Sequence, residues 1–131
     1  MRFVILHHTG AGADHYDLMV ESGGALRTWG IGSPDLRDQT AEQKPDHRLA
    51  YLDFEGPVSG GRGEVRRVEG GTCEVRVPSE KEILLDLSGG EFKGSIRLCL
   101  ETTDPGPGAR WSLTREDPGP SMPPRRGRSS P

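Results

Sequence analysis

The sequence predicts an all-β or mainly β domain of six to eight short strands with short helical or loop excursions, and three observations predict it. Glycine and proline are abundant, 19 and 11 of 131 residues, above their ordinary share, so the chain turns often. Short runs alternate apolar and polar residues with a period of two, the mark of a strand with one buried face. Tight-turn signals, Ser22-Gly23-Gly24, Gly70-Gly71, Pro78-Ser79 and Ser88-Gly89-Gly90, punctuate these runs. A hydrophobic content of 31% fits either disorder or a turn-rich β domain, and the alternation decides for the second.

In order along the chain, Phe3 to Leu6 is an apolar run too short for a helix and reads as a central strand. Thr9 to Asp14 reads as a loop. Tyr16 to Glu21 and Ala25 to Ile31, joined by a glycine turn, form a hairpin. Residues 32–46 are polar and read as an exposed loop or a short helix. Arg48 to Phe54 resumes the apolar alternation. Glu55 to Gly63 holds Pro57 and many glycines, which excludes a regular helix. Gly63 to Glu69, Thr72 to Val77, Lys81 to Leu87, Ser95 to Glu101 and Ala109 to Arg115 each read as a strand. This many short strands closes into a barrel or stacks as a sandwich, and closure removes exposed sheet edges.

The length suits one domain, residues 1–115. Residues 116–131 carry five prolines and no apolar period, and read as a disordered tail whose Arg125, Arg126 and Arg128 are available to a phosphate backbone. The formal net charge of −3 argues against a broad basic surface for non-specific nucleic-acid binding, though not against a local pocket of two or three arginines. Cys73 and Cys99 sit in alternating runs and read as two buried thiols, with no disulfide framework or zinc-finger spacing. The start lacks the length of a signal peptide, and no run approaches the ~20 apolar residues of a membrane helix. A cytoplasmic protein is expected.

The chemistry lies in four histidines, His7, His8, His15 and His47. His15 and Asp17 are two apart, so on an extended chain they point to one side. Imidazole nitrogen with carboxylate oxygen suits a first-row divalent ion. His7 and His8 point to opposite faces, so one of the two is expected to join that pair. No serine stands in a nucleophile context, since Ser59 and Ser88 lie in turns. Gly60-Gly61-Arg62-Gly63 lacks the lysine and helix of a phosphate-binding loop.

Several motifs then occur in an ordered series. FVILHH leads through TGAGAD to HYD and LMVE; Gly24-Ala25-Leu26-Arg27-Thr28-Trp29 follows. Next come Asp46-His47-Arg48-Leu49-Ala50-Tyr51, Asp53-Phe54-Glu55-Gly56, a glycine-rich link to Val65, Gly90 to Leu98, and Trp111-Ser112-Leu113-Thr114-Arg115. In order and spacing, over residues 2–115, the chain resembles the 3′-phosphoesterase family found as a domain of bacterial ligase D and as small free-standing proteins.

The resemblance implies a compact six- to eight-stranded barrel whose metal ligands are His8, His15, Asp17 and His47. The ion implied is manganese, with zinc or cobalt as alternatives. The implied substrates are DNA or RNA–DNA 3′ ends, relieved of a 3′-phosphate or 3′-ribonucleotide during strand-break repair, beside a ligase or polymerase. Arg27, Arg48, Tyr51 and Arg62 are the candidate phosphate-binding residues, with Arg27 and Arg48 counted with the catalytic set, because guanidinium forks suit phosphate oxygens. The sequence departs from the family at Met19, often arginine in ligase D enzymes, and at Pro45, often glutamate. The alternative reading is a catalytically weak or inactive module that binds nucleic-acid ends or a repair protein.

Overall fold

The structure, a computed structural model, describes residues 1–116 and consists almost wholly of antiparallel strands. They are β1 (Arg2–Gly10), β2 (Ala13–Ser22), β3 (Ala25–Ile31), β4 (Gln39–His47), β5 (Gly56–Pro57), β6 (Glu64–Ser79), β7 (Glu82–Gly89), β8 (Lys93–Leu100) and β9 (Arg110–Glu116). A single 3-10 turn, Leu49–Leu52, is the one helical element among the described residues. The pairing runs β1-β2-β3-β4-β9-β8-β7-β6, and β6 pairs back onto β1, so eight strands form a barrel-like ring. The two-residue β5 hangs on the start of β6. The all-β prediction therefore holds. The disordered tail assigned to residues 116–131 falls, from residue 117 on, outside the described residues.

Alternation along the strands makes two cores. Phe3 and Ile5 of β1, Leu18 and Val20 of β2, and Trp29 of β3 turn into the ring. There they meet Leu85, Ile96, Leu98, Trp111 and Leu113 from the far side. Trp29 and Trp111 meet edge to face at 6.0 Å, a favoured aromatic geometry. The opposite parity, Val4, Leu6, Met19, Leu26 and Val65, points outward and is also buried. Leu52 of the 3-10 turn covers it, with Tyr51 and Val58 packed alongside. Arg67 ties the turn down by donating to the Leu52 carbonyl, and Arg2 pairs with Asp53 at 2.8 Å.

Several expectations are corrected. Arg48 to Phe54 is not a strand: its apolar residues serve the outer core through the 3-10 turn. The polar stretch 32–46 holds all of β4 but its last residue, His47, and β4 completes the ring between β3 and β9. Its inward residues are Ala41 and Gln43, both buried. Gln43 is satisfied there, since its Oε1 accepts from Trp111 Nε1 at 3.0 Å and from the Gly106 amide at 3.0 Å. Gly70-Gly71 is not a turn; it lies inside the 16-residue β6. The register of β6 against β1 shifts just before it, between Arg67 and Glu69, and at Gly71 β6 begins to pass from β1 to β7 as its partner. The loop expected at Thr9 to Asp14 shrinks to the turn Ala11-Gly12, both at positive φ, as a two-residue hairpin with right-twisted strands requires. Both cysteines are free, Cys73 buried but Cys99 only half-buried.

Candidate functional site

The β1–β2 hairpin carries the site. His8 lies directly opposite His15, and Leu6 opposite Asp17. Because side chains alternate, His8, His15 and Asp17 all project to the outer face of the ring, in line with Met19 and Leu6. One donor atom from each of the three lies within 4.8 Å of the other two. His7, on the inward parity, goes elsewhere: its ring stacks on Tyr16 at 4.3 Å and its Nε2 meets Asp14 Oδ1 at 2.9 Å. Of the two adjacent histidines, His8 is the one brought to His15 and Asp17.

The protonation pattern follows from the partners. His8 Nε2 is 2.6 Å from the carbonyl oxygen of Arg62. A carbonyl only accepts, so Nε2 carries a proton, and the tautomer this selects for the neutral ring has its lone pair on Nδ1. That Nδ1 faces His15 Nε2 at 3.3 Å, and His15 Nε2 is 3.4 Å from Asp17 Oδ2. Burial pushes the His15 imidazole below its ordinary pKa, against the opposing pull of Asp17, and favours the neutral ring. One proton on His15 at most is thus shared between two acceptors. Asp17 is buried, and its Oδ1 has no hydrogen-bond partner; the nearest cation, Lys44 Nζ, is 4.0 Å away. Buried carboxylate oxygens are rarely left this way. The cluster is rich in lone pairs and short of protons, and that donor set fits a divalent cation.

The backbone around the cluster is arranged to hold it. Gly63 has φ +88, and a Cβ there would stand 2.2 Å from the Thr9 carbonyl oxygen. Only glycine allows the 59–63 loop to lie this close to the end of β1, and the contact keeps the Arg62 carbonyl over His8. Gly30 leaves room beside Asp17 for the Lys44 chain, whose Cε would lie 2.7 Å from a Cβ at that position.

A cleft of about 400 Å³ opens beside the cluster, lined by His8, Asp17 and Met19 together with His47, Arg48, Tyr51 and Arg62. His47 sits at the end of β4, opposite Leu26. Its Nδ1 donates to the Pro45 carbonyl at 2.9 Å, which leaves Nε2 as the free nitrogen, and its ring stands edge-on to Tyr51 at 5.5 Å. His47 shares the cleft but stands outside the group of three. Arg62 is held by its own loop, with Nε donating to the Ser59 carbonyl at 2.7 Å.

Arg27 is not brought to this cleft. It has the inward parity of Trp29, and its guanidinium lies 5.1 Å from the centre of that ring, in a separate hollow with Met1, Val77 and Ile83. Of the four predicted phosphate-binding residues, the structure gathers Arg48, Tyr51 and Arg62. Sequence reasoning missed Lys44, which lies in the stretch read as a loop. The alternation Thr40, Glu42, Lys44 on one side and Ala41, Gln43, Pro45 on the other was the available signal.

Among the described residues, no helix is long and apolar enough to cross a membrane. No family model matches the chain, and no curated protein matches it.

Proposed function

We propose that the protein is a metal-dependent phosphoesterase acting on the 3′ ends of DNA or RNA–DNA strands, in a cytoplasmic break-repair setting beside a ligase or polymerase. The observation that carries the reading is the meeting of His8, His15 and Asp17, whose Oδ1 accepts no hydrogen bond, beside a cleft that two arginines, a tyrosine and a further histidine also line. The motif series resembling the ligase D phosphoesterases supports the same assignment.

His8, His15 and Asp17 would hold the ion, manganese by the family resemblance, with His47 of the same cleft as the fourth candidate ligand. When bound, a divalent ion acidifies a coordinated water and offsets charge building on the phosphoryl oxygens. The protein's own groups do the rest. The Arg62 carbonyl fixes the His8 tautomer, and outer partners of this kind orient metal-binding imidazoles. Arg48 and Arg62 supply forked donors for phosphate oxygens, and the Tyr51 hydroxyl adds a neutral donor. His47, with Nδ1 committed to Pro45, presents the lone pair of Nε2 to the cleft, as a ligand must. The apolar floor of Met19, Val58 and Val65 limits water around the charges and so strengthens their interaction.

A second reading, an end-binding module without turnover, is favoured by Met19, a buried apolar residue lining the cleft where the ligase D enzymes often place an arginine. Incubation with manganese and a single-stranded DNA ending in a 3′-phosphate separates the two. Release of inorganic phosphate is expected, with at least a roughly hundredfold loss in Asp17→Asn, since several kcal/mol of charge stabilisation depends on the ion. Intact manganese binding without phosphate release would overturn the enzyme reading and leave the binding module.

A further inference from the structure

Beside the cleft lies a second, smaller hollow of about 210 Å³, walled by Tyr51, Phe54, Pro57 and Val58, with Arg48 and Ser59 at its rim. Arg48, Tyr51 and Val58 line both cavities, so the hollow is a side chamber of the cleft. Its aromatic pair is preformed: the Tyr51 and Phe54 rings meet edge to face at 5.7 Å. Phe54 is 36% exposed and belongs to neither core. The chamber is smaller than the ~300–1,000 Å³ typical of a pocket for a drug-sized ligand, which suits one planar ring.

We propose that this chamber is a stacking subsite for the unpaired base of the nucleotide that carries the 3′-phosphate. The identity of the occupant rests on the function proposed above. A phosphate held at Arg48 places the nucleoside it belongs to next to the wall that Arg48 and Tyr51 share. A base has two apolar faces and a polar rim. An aromatic wall with an arginine at its edge serves all four bases, because stacking needs only a π face. The chamber offers no cluster of carboxylates or amides to read base identity. The subsite therefore selects for a nucleotide end over a simple phosphate ester, and for a single-stranded or frayed end over a paired one, without sequence preference.

The test mixes the full chain, with manganese, and a short DNA strand whose 3′-terminal base is 2-aminopurine and which ends in a 3′-phosphate. Stopped-flow fluorescence reports stacking before turnover, and phosphate release is followed from the same mixture. Rapid quenching is expected for 2-aminopurine at the terminus and not for the probe placed at the 5′ end. Phe54→Ala should lose the quench and bind the strand roughly tenfold more weakly, at the level of one stacked base, while Phe54→Trp restores both. Quenching that persists in Phe54→Ala, or that is absent from the parent, would overturn the subsite even if phosphate is released. Phe54-dependent quenching without phosphate release would keep the subsite and overturn the phosphoesterase.

Discussion

At the scale of single residues, two carboxylates show what an acidic side chain does when burial and backbone decide its partners. Asp17 has been left short of donors, and the site depends on it. Glu69 has been oversupplied. It accepts from the amides of Gly70, Gly90, Glu91 and Phe92 at 2.7 to 3.1 Å and so ties β6 to the β7–β8 turn. Burial raises its pKa, yet the four amides outweigh burial and hold it below the usual glutamate value. A depressed carboxylate pKa means that the folded state holds the proton less readily than the unfolded chain. Its contribution is present above the unfolded pKa and is lost as pH falls through the folded one. Glu69→Gln should thus cost about 2 kcal/mol at neutral pH and show a shallower loss of stability on acidification. Urea unfolding at neutral pH and in the acid range checks both.

The residue scale is also where the sequence was most readable for the site. The two-residue spacing of His15 and Asp17 and the opposite parity of His7 and His8 translate directly into side-chain direction once both strands are extended. The same rule places Arg27 with Trp29, away from the cleft. That was not legible, because the parity of β3 relative to β2 depends on their register, in which Val20 faces Arg27, and a sequence does not display register. His47 was legible as a residue near the site through the motif resemblance alone.

At the scale of elements, each misread segment parts the apolar pattern from the strand in a different way. In β4 the inward position is Gln43, whose amide is matched to Trp111 and Gly106, so the apolar period vanishes while the strand remains. In Leu49–Leu52 the reverse holds, as apolar residues cover the outer core from a 3-10 turn. Gly70-Gly71 mimics a turn but marks where β6 is hemmed in by its partners. At Gly71 a Cβ would lie 2.1 Å from the Ser88 carbonyl oxygen, a backbone atom that cannot step aside. Gly71→Ala should lower stability by about 3 kcal/mol without changing the environment of the His8, His15 and Asp17 cluster. Denaturant unfolding beside the histidine NMR signals tests this, and an unchanged midpoint would contradict the tight backbone approach at Gly71 where β6 passes from β1 to β7.

At the scale of the molecule, ring closure leaves two usable faces: an interior filled by the main core, and an outer patch on β1, β2, β3 and β6 that needs a cover. The 3-10 turn and the 56–63 segment supply that cover, and the cleft forms where the cover stops short of His8, His15 and Asp17. The site is thus the unfilled end of a second core. This explains how a chain of negative net charge concentrates Arg48 and Arg62 at one spot. The measurement that tests this account most directly is an anomalous-diffraction map from crystals grown with manganese. The account predicts one strong peak in contact with His8 Nδ1, His15 Nε2 and the Asp17 carboxylate. A map with no peak there, while Asp17 Oδ1 stays buried and partnerless, would contradict it.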